Sequence, residues 1–254
     1  DASTDPATLL HSIRQVAQRH RSQALAQSWH QKPYRNFIQG LELFWNRLSH
    51  QTPPKALGYS AAIWQRASLS VYSTIGEPRA MLVSPPVQLQ SECPLPLDGK
   101  PHTTCHLFPT ARLGYFNLHG LPDAMEWFGQ RDPTEPETGD DFPLALRPED
   151  IGASNGNGKP QSVPLVVFSE ACYGAHIPEK TVYQSISLKI IASVARAFVG
   201  STCISYGSIS TPLIAADLLG RAFWSYLSEG FPAGEALRRA KIYLTREMHS
   251  RQGY

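Results

Sequence analysis

The sequence predicts an α/β fold, a mostly parallel β-sheet flanked by helices. Three observations carry this. Short apolar runs at residues 79–83, 112–120, 163–169 and 197–205 have the length of strands and are punctuated by Pro, Gly or small polar residues. Other stretches space their apolar residues one helical turn apart. The two kinds alternate along the second half of the chain, and a strand–helix–strand order brings parallel neighbours because the crossover must pass over a sheet face.

Each element has its own justification. In residues 34–50, Phe37, Leu41, Phe44, Trp45 and Leu48 fall on one helical face. Leu57, Ala61, Trp64 and Val71 suggest a second helix. The expectation is a helical N-terminal segment over 1–78 and an α/β domain over 79–254, packed as one compact unit. The run R-A-M-L-V at 79–83 is followed by S-P-P, and the prolines end any strand there. R-L-G-Y-F-N-L-H-G at 112–120 reads as a strand ending in His-Gly. Residues 122–162 are rich in Pro, Gly, Asp and Asn, and read as a long mobile surface loop with little core, open to proteases at Arg131, Arg147 and Lys159. V-P-L-V-V-F-S at 163–169 is the next strand, followed by a helix with Ile186, Ile190 and Val194 on one face. A-F-V-G-S-T-C-I-S at 197–205 is a further strand. Two helices close the chain, one carrying Leu218, Leu219, Ala222, Phe223 and Tyr226, the other Leu237, Ala240, Leu244 and Met248. Gly230 and Pro232 mark the stop and start between them.

Composition narrows the function classes. The chain has 254 residues, 42% apolar and 17% charged, enough to bury a substantial core. With 23 basic and 21 acidic residues the net charge is +2, which argues against nucleic acid as the main partner. The longest apolar runs are too short to span a bilayer and no secretory leader is visible, so no membrane partner is expected and the cytoplasm is favoured. The chain starts at Asp1 and ends R-Q-G-Y directly after a helix, and reads as a piece of a longer one with room for further domains or a regulatory partner. Four cysteines do not make a disulfide scaffold. The stretch C-P-L-P-L-D-G-K-P-H-T-T-C-H at 93–106 has four metal-ligand types, but its spacing matches no usual zinc pattern. A Cys93–Cys105 disulfide or two free thiols fits it better, and no metal or cofactor is expected.

The candidate chemistry lies at strand ends, where open α/β sheets gather their ligands. His119 follows G-Y-F-N-L, and Cys172 follows L-V-V-F-S-E-A. If the strands are parallel, both side chains reach one rim. A thiol beside an imidazole is the minimal nucleophilic pair, because the imidazole can take the thiol proton. Gly120 and Gly174 permit tight turns, and the amides of Gly120 and Cys172 could form an oxyanion hole. A Cys at a strand end is more often simply core. The pairing weighs against that: E-A-C-Y-G matches an x-A-C-x-G pattern, and His119 lies 53 residues upstream of Cys172. His176 lies beyond the turn, and His102 and His106 lie in a Pro-rich loop; none follows a strand and a Gly-permitted turn.

On Y-F-N-L-H-G, L-V-V-F-S-E-A-C-Y-G, A-R-A-F-V-G-S-T and the tail F-W-S-Y-L-S-E-G-F-P-A-G-E-A-L-R-R-A-K, the chain resembles the caspase-like clan of cysteine peptidases, and most of all the bacterial CHAT or gingipain-like domains. The resemblance covers about residues 113–248. It implies a three-layer caspase-like sandwich, with His119 as general base and Cys172 as nucleophile. It also implies that Glu170, two before the nucleophile, lines the pocket for the side chain preceding the scissile bond. A carboxylate there would select Arg or Lys. Ser205 and Tyr206 sit where such domains build another pocket wall, and Asp123 could add a second carboxylate near the site. The function so implied is a cysteine endopeptidase acting on protein or peptide substrates after a basic residue. The alternative is a catalytically silent scaffold or interaction module of the same fold.

Overall fold

The computed structural model describes Gln18 and residues 56–85, 111–135, 139–152, 163–193 and 195–252. The predicted helix at 34–50 and the Cys/His stretch at 93–106 lie outside these residues.

Five strands form one sheet: β1 (Ala56–Ala61), β2 (Met81–Ser84), β3 (Leu113–Asn117), β7 (Val166–Ser169) and β8 (Ala197–Val199), in the order β2-β1-β3-β7-β8. Every neighbouring pair is parallel. Side chains alternate between its faces, and a hydrophobic core fills each side. On one side Leu57, Tyr59, Phe116 and Val167 pack with Ile186 and Ile190 of helix α2 (Ile186–Ser193). On the other, Tyr115 and Phe168 pack with Val71 and Tyr72 of α1 (Gln65–Tyr72), and with Leu218, Phe223 and Trp224 of α3 (Ala215–Ser228). Ala236 and Ala240 of α4 (Ala233–Gln252) complete this second layer. The protein is therefore a parallel sheet between two helical layers. Gly230, with φ 94°, lets the chain leave α3 in the left-handed conformation that ends helices.

Two sequence expectations change. Leu57 and Ala61 stand in β1, an interior strand, and not in a helix; the helix begins only at Gln65. All six residues of β1 are buried. A strand buried on both faces shows no alternation, so its apolar spacing mimics a helical one. Because β1 pairs with both β2 and β3, the predicted boundary at 78 falls between two neighbouring strands of one sheet.

Within the predicted loop, residues 122–135 and 139–152 are also more ordered than expected. A three-stranded antiparallel sheet joins β4 (His119–Gly120), β5 (Trp127–Phe128) and β6 (Leu144–Leu146). Trp127, Ala145, Leu146 and Ile151 belong to the α2-side core. Arg131 is clamped by Asp141 at 2.7 Å, with its side chain 13% exposed. Strands of two or three residues leave no periodicity to read, and the buried anchors among the Pro and Gly hold the segment down.

Candidate active site

Sheet register builds the site. The last registered pair of β3 and β7 is Phe116 with Ser169, and the Glu170 amide donates to the Phe116 carbonyl at 2.8 Å. His119 and Cys172 are each the third residue beyond that pair. Both therefore lie past the carboxyl ends of adjacent parallel strands, on one rim.

The backbones meet at Gly120. A Cβ there would stand 2.1 Å from the Cys172 carbonyl oxygen, so only glycine lets β4 pass this close. After Cys172 the chain turns sharply: Tyr173 has φ 55°, and the Gly174 amide donates to the Ala171 carbonyl at 3.0 Å. The turn is tied to the segment after β8, because the Tyr173 amide donates to the Cys203 carbonyl at 2.9 Å. A non-glycine residue at such a φ is held there by its surroundings, and such strain concentrates at functional sites.

Cys172 is half-buried. Its thiol donates to the Ser205 carbonyl at 3.3 Å, and the Ser205 amide donates to Sγ at 3.2 Å. The Cys172 amide donates to no group among the described residues, so it is free to bind an oxyanion. Gly120, the other expected donor, is paired with Trp127 in the small sheet.

His119 lies between two rings, with Trp64 at 4.4 Å and Phe142 at 5.3 Å between centroids. Its Nε2 is hydrogen-bonded to Gln130 Oε1 at 2.7 Å. Burial lowers its pKa below the ordinary 6.5, and the Gln130 bond opposes part of that shift, so the imidazole is neutral at neutral pH. Among the described residues, His119 and Cys172 share no side-chain hydrogen bond; each is engaged elsewhere.

Glu170 is only 5% exposed and points beneath the sheet toward α3. Tyr115 donates to its Oε1 at 2.8 Å. The fully buried Asp217, in the first turn of α3, lies beside it and accepts a short hydrogen bond from the Ser208 amide. Burial, reinforced by the Asp217 charge, pushes the Glu170 carboxyl well above its ordinary 4.5. Burial raises Asp217 as well, but the Ser208 amide and the Glu170 side chain pull it back. Both carboxyls are thus pushed toward the protonated form, Glu170 the more strongly. Glu170 Oε2 and Asp217 Oδ1 have no other partner, and one proton shared by the two carboxyls supplies the missing donor.

A cavity of about 430 Å³ opens beside this pair. Ser205 and Tyr206 line it, as expected, together with Ser169, Ala216, Leu219 and Lys241. Glu170 does not; it sits behind the wall, between Ser169 and the start of α3. Asp123 is exposed on the loop after β4, near Lys180, which reaches the Ala124 carbonyl at 3.2 Å. The sequence marks none of Gln130, Trp64, Phe142, Tyr115 and Asp217 as a site residue. Gln130 and Phe142 come from the segment read as loop, and nothing in the sequence marks Asp217 as a neighbour of Glu170.

Among the described residues no cluster of His, Cys, Asp and Glu could hold a metal ion, and no helix is long and apolar enough to cross a membrane. Comparison of the chain with family models, with curated proteins and with solved structures gives no match.

Proposed function

We propose that the protein is a caspase-like cysteine endopeptidase with Cys172 as nucleophile and His119 as base. The observation that carries this reading is the register of β3 and β7, which sets the two residues at equivalent positions on neighbouring strand ends. The Cys172 sulfur attacks the peptide carbonyl, and its proton passes to His119. The tetrahedral oxyanion takes the Cys172 amide. His119 hands the proton to the leaving amine, and a thioester remains. Water, deprotonated by His119, then releases the acid and restores the thiol.

The preference extends to a basic residue before the scissile bond. Its support is the buried Glu170–Asp217 pair, which carries a negative charge with no cation bound to it among the described residues. A guanidinium entering the cavity would be drawn to that charge through the wall that Ser169 and Ala216 make. Lys241 also lines the cavity, and its charge opposes a second cation there.

The second reading is a silent scaffold. It draws on the Cys172 thiol being bound to Ser205, with no link to His119. Hydrolysis of a broad peptide library by wild type and Cys172→Ala separates the two. The enzyme reading expects turnover lost in the variant; equal rates in both would leave the scaffold.

A further inference from the structure

Among the described residues, Gln130 is the one polar side chain bonded to the His119 ring, and its placement is built from several directions. The Gln130 amide donates to the Ser84 carbonyl at the end of β2 at 3.3 Å, and its own carbonyl accepts the Ile63 amide at 3.2 Å. Gly129 just before it is wedged against Ser84, where a Cβ would meet Oγ at 2.3 Å, and its amide donates to the Pro143 carbonyl at 2.8 Å. The turn Ala62–Trp64 that pins Gln130 also presents Trp64 to one face of His119, and Phe142 closes another side. The imidazole is thus caged by two rings and one amide, all anchored to the ends of β1 and β2 and to the segment before β6.

We propose that Gln130 is a positioning residue, whose side-chain carbonyl fixes His119 as the Nε2–H tautomer and leaves Nδ1 as its basic nitrogen. This rests on the peptidase reading for its purpose. An imidazole has one donor and one acceptor nitrogen when neutral, and a bound acceptor at one decides which is which. A carbonyl at Nε2 makes that nitrogen the donor. Nδ1 then carries the lone pair that must receive the thiol proton. A carbonyl also does this without a charge. Arg131 and Asp141, next to Gln130 and Phe142 in the chain, bind each other, and the imidazole is shifted by burial and the Gln130 bond, with no charged side chain contributing. The base stays neutral and ready at neutral pH, where a carboxylate in place of Gln130 would hold it protonated.

The test is imidazole-nitrogen NMR of His119, assigned with His119→Gln, in the full chain and in Gln130→Leu and Gln130→Glu. Wild type should show the Nε2–H tautomer above neutral pH. Gln130→Leu should lose that bias, and Gln130→Glu should raise the His119 pKa by about one unit or more. In the peptidase assay the acid limb of kcat/KM should move up with Gln130→Glu, and kcat should fall by about 10-fold or more in Gln130→Leu. An Nδ1–H tautomer in wild type, or an unchanged tautomer and pKa in both variants, overturns the proposal. Undiminished hydrolysis by Cys172→Ala would instead strike the peptidase reading, and the NMR result would still decide whether Gln130 governs His119. Both variants keep the backbone bonds of residue 130, and circular dichroism checks that each is folded.

Discussion

Gly120 lies against the carbonyl of Cys172 so closely that an added Cβ would sit 2.1 Å from that oxygen. This contact joins the small sheet that carries His119 to the strand end that carries Cys172. The neighbour is backbone and cannot swing away. Gly120→Ala should therefore push β4 off the Cys172 turn and cut kcat/KM by about 100-fold, as displacements near 1 Å do. Thermal unfolding and peptide turnover, measured together, check it. An alanine variant with normal turnover means the approach of β4 is not needed for activity.

The pH profile follows from the caged imidazole. Burial lowers the His119 pKa, and in the proposed mechanism His119 acts as a base when neutral. Activity should rise with pH through a limb lying below the ordinary imidazole value of 6.5. A limb in kcat/KM at or above that value points to another titrating base.

The strands that hold the site were legible, and the reasons are local. V-V-F-S and L-G-Y-F-N are apolar, short and punctuated, so β7 and β3 could be read with the residues that follow them. β1 was hidden because its small buried residues, Ala56, Gly58, Ser60 and Ala61, give no strand alternation. The antiparallel sheet was hidden because strands of two or three residues make no pattern, and Gln130 was hidden with it. Glu170 was seen as a candidate, but its depth was not. Only the packing of β7 against α3 shows that Asp217 meets it below the rim.

That buried pair makes a stability prediction. Above its ordinary 4.5, Glu170 is ionised in the unfolded chain and still protonated in the folded one. The folded state then binds more protons, so stability falls as pH rises toward the raised folded value. The one-proton limit is about 1.4 kcal/mol per pH unit. Glu170→Gln has no proton to lose, so its stability relative to wild type should improve steadily between weakly acid and neutral pH. Urea unfolding at several pH values measures the difference, and parallel curves for the two proteins would place the proton elsewhere.

The proposed substrate preference rests on the same pair. A bound guanidinium favours release of the shared proton, so KM for Arg-containing peptides should fall as pH rises, with no such trend for neutral residues at that position. Lys241→Met should lower KM for the Arg peptides further. Kinetics on peptides differing only before the scissile bond read both effects. An Arg preference that survives in the Glu170→Gln, Asp217→Asn double variant shows that the pair is not the selector.

The central claim is that Cys172 is a nucleophile served by His119. It is tested most directly by an Arg-containing peptidyl acyloxymethyl ketone, which alkylates an active-site thiol, with the adduct located by mass spectrometry. The account predicts labelling at Cys172 well ahead of the exposed Cys203, slowed by about 100-fold or more in His119→Ala. Labelling of Cys172 no faster than of Cys203, or at the same rate without His119, would contradict it.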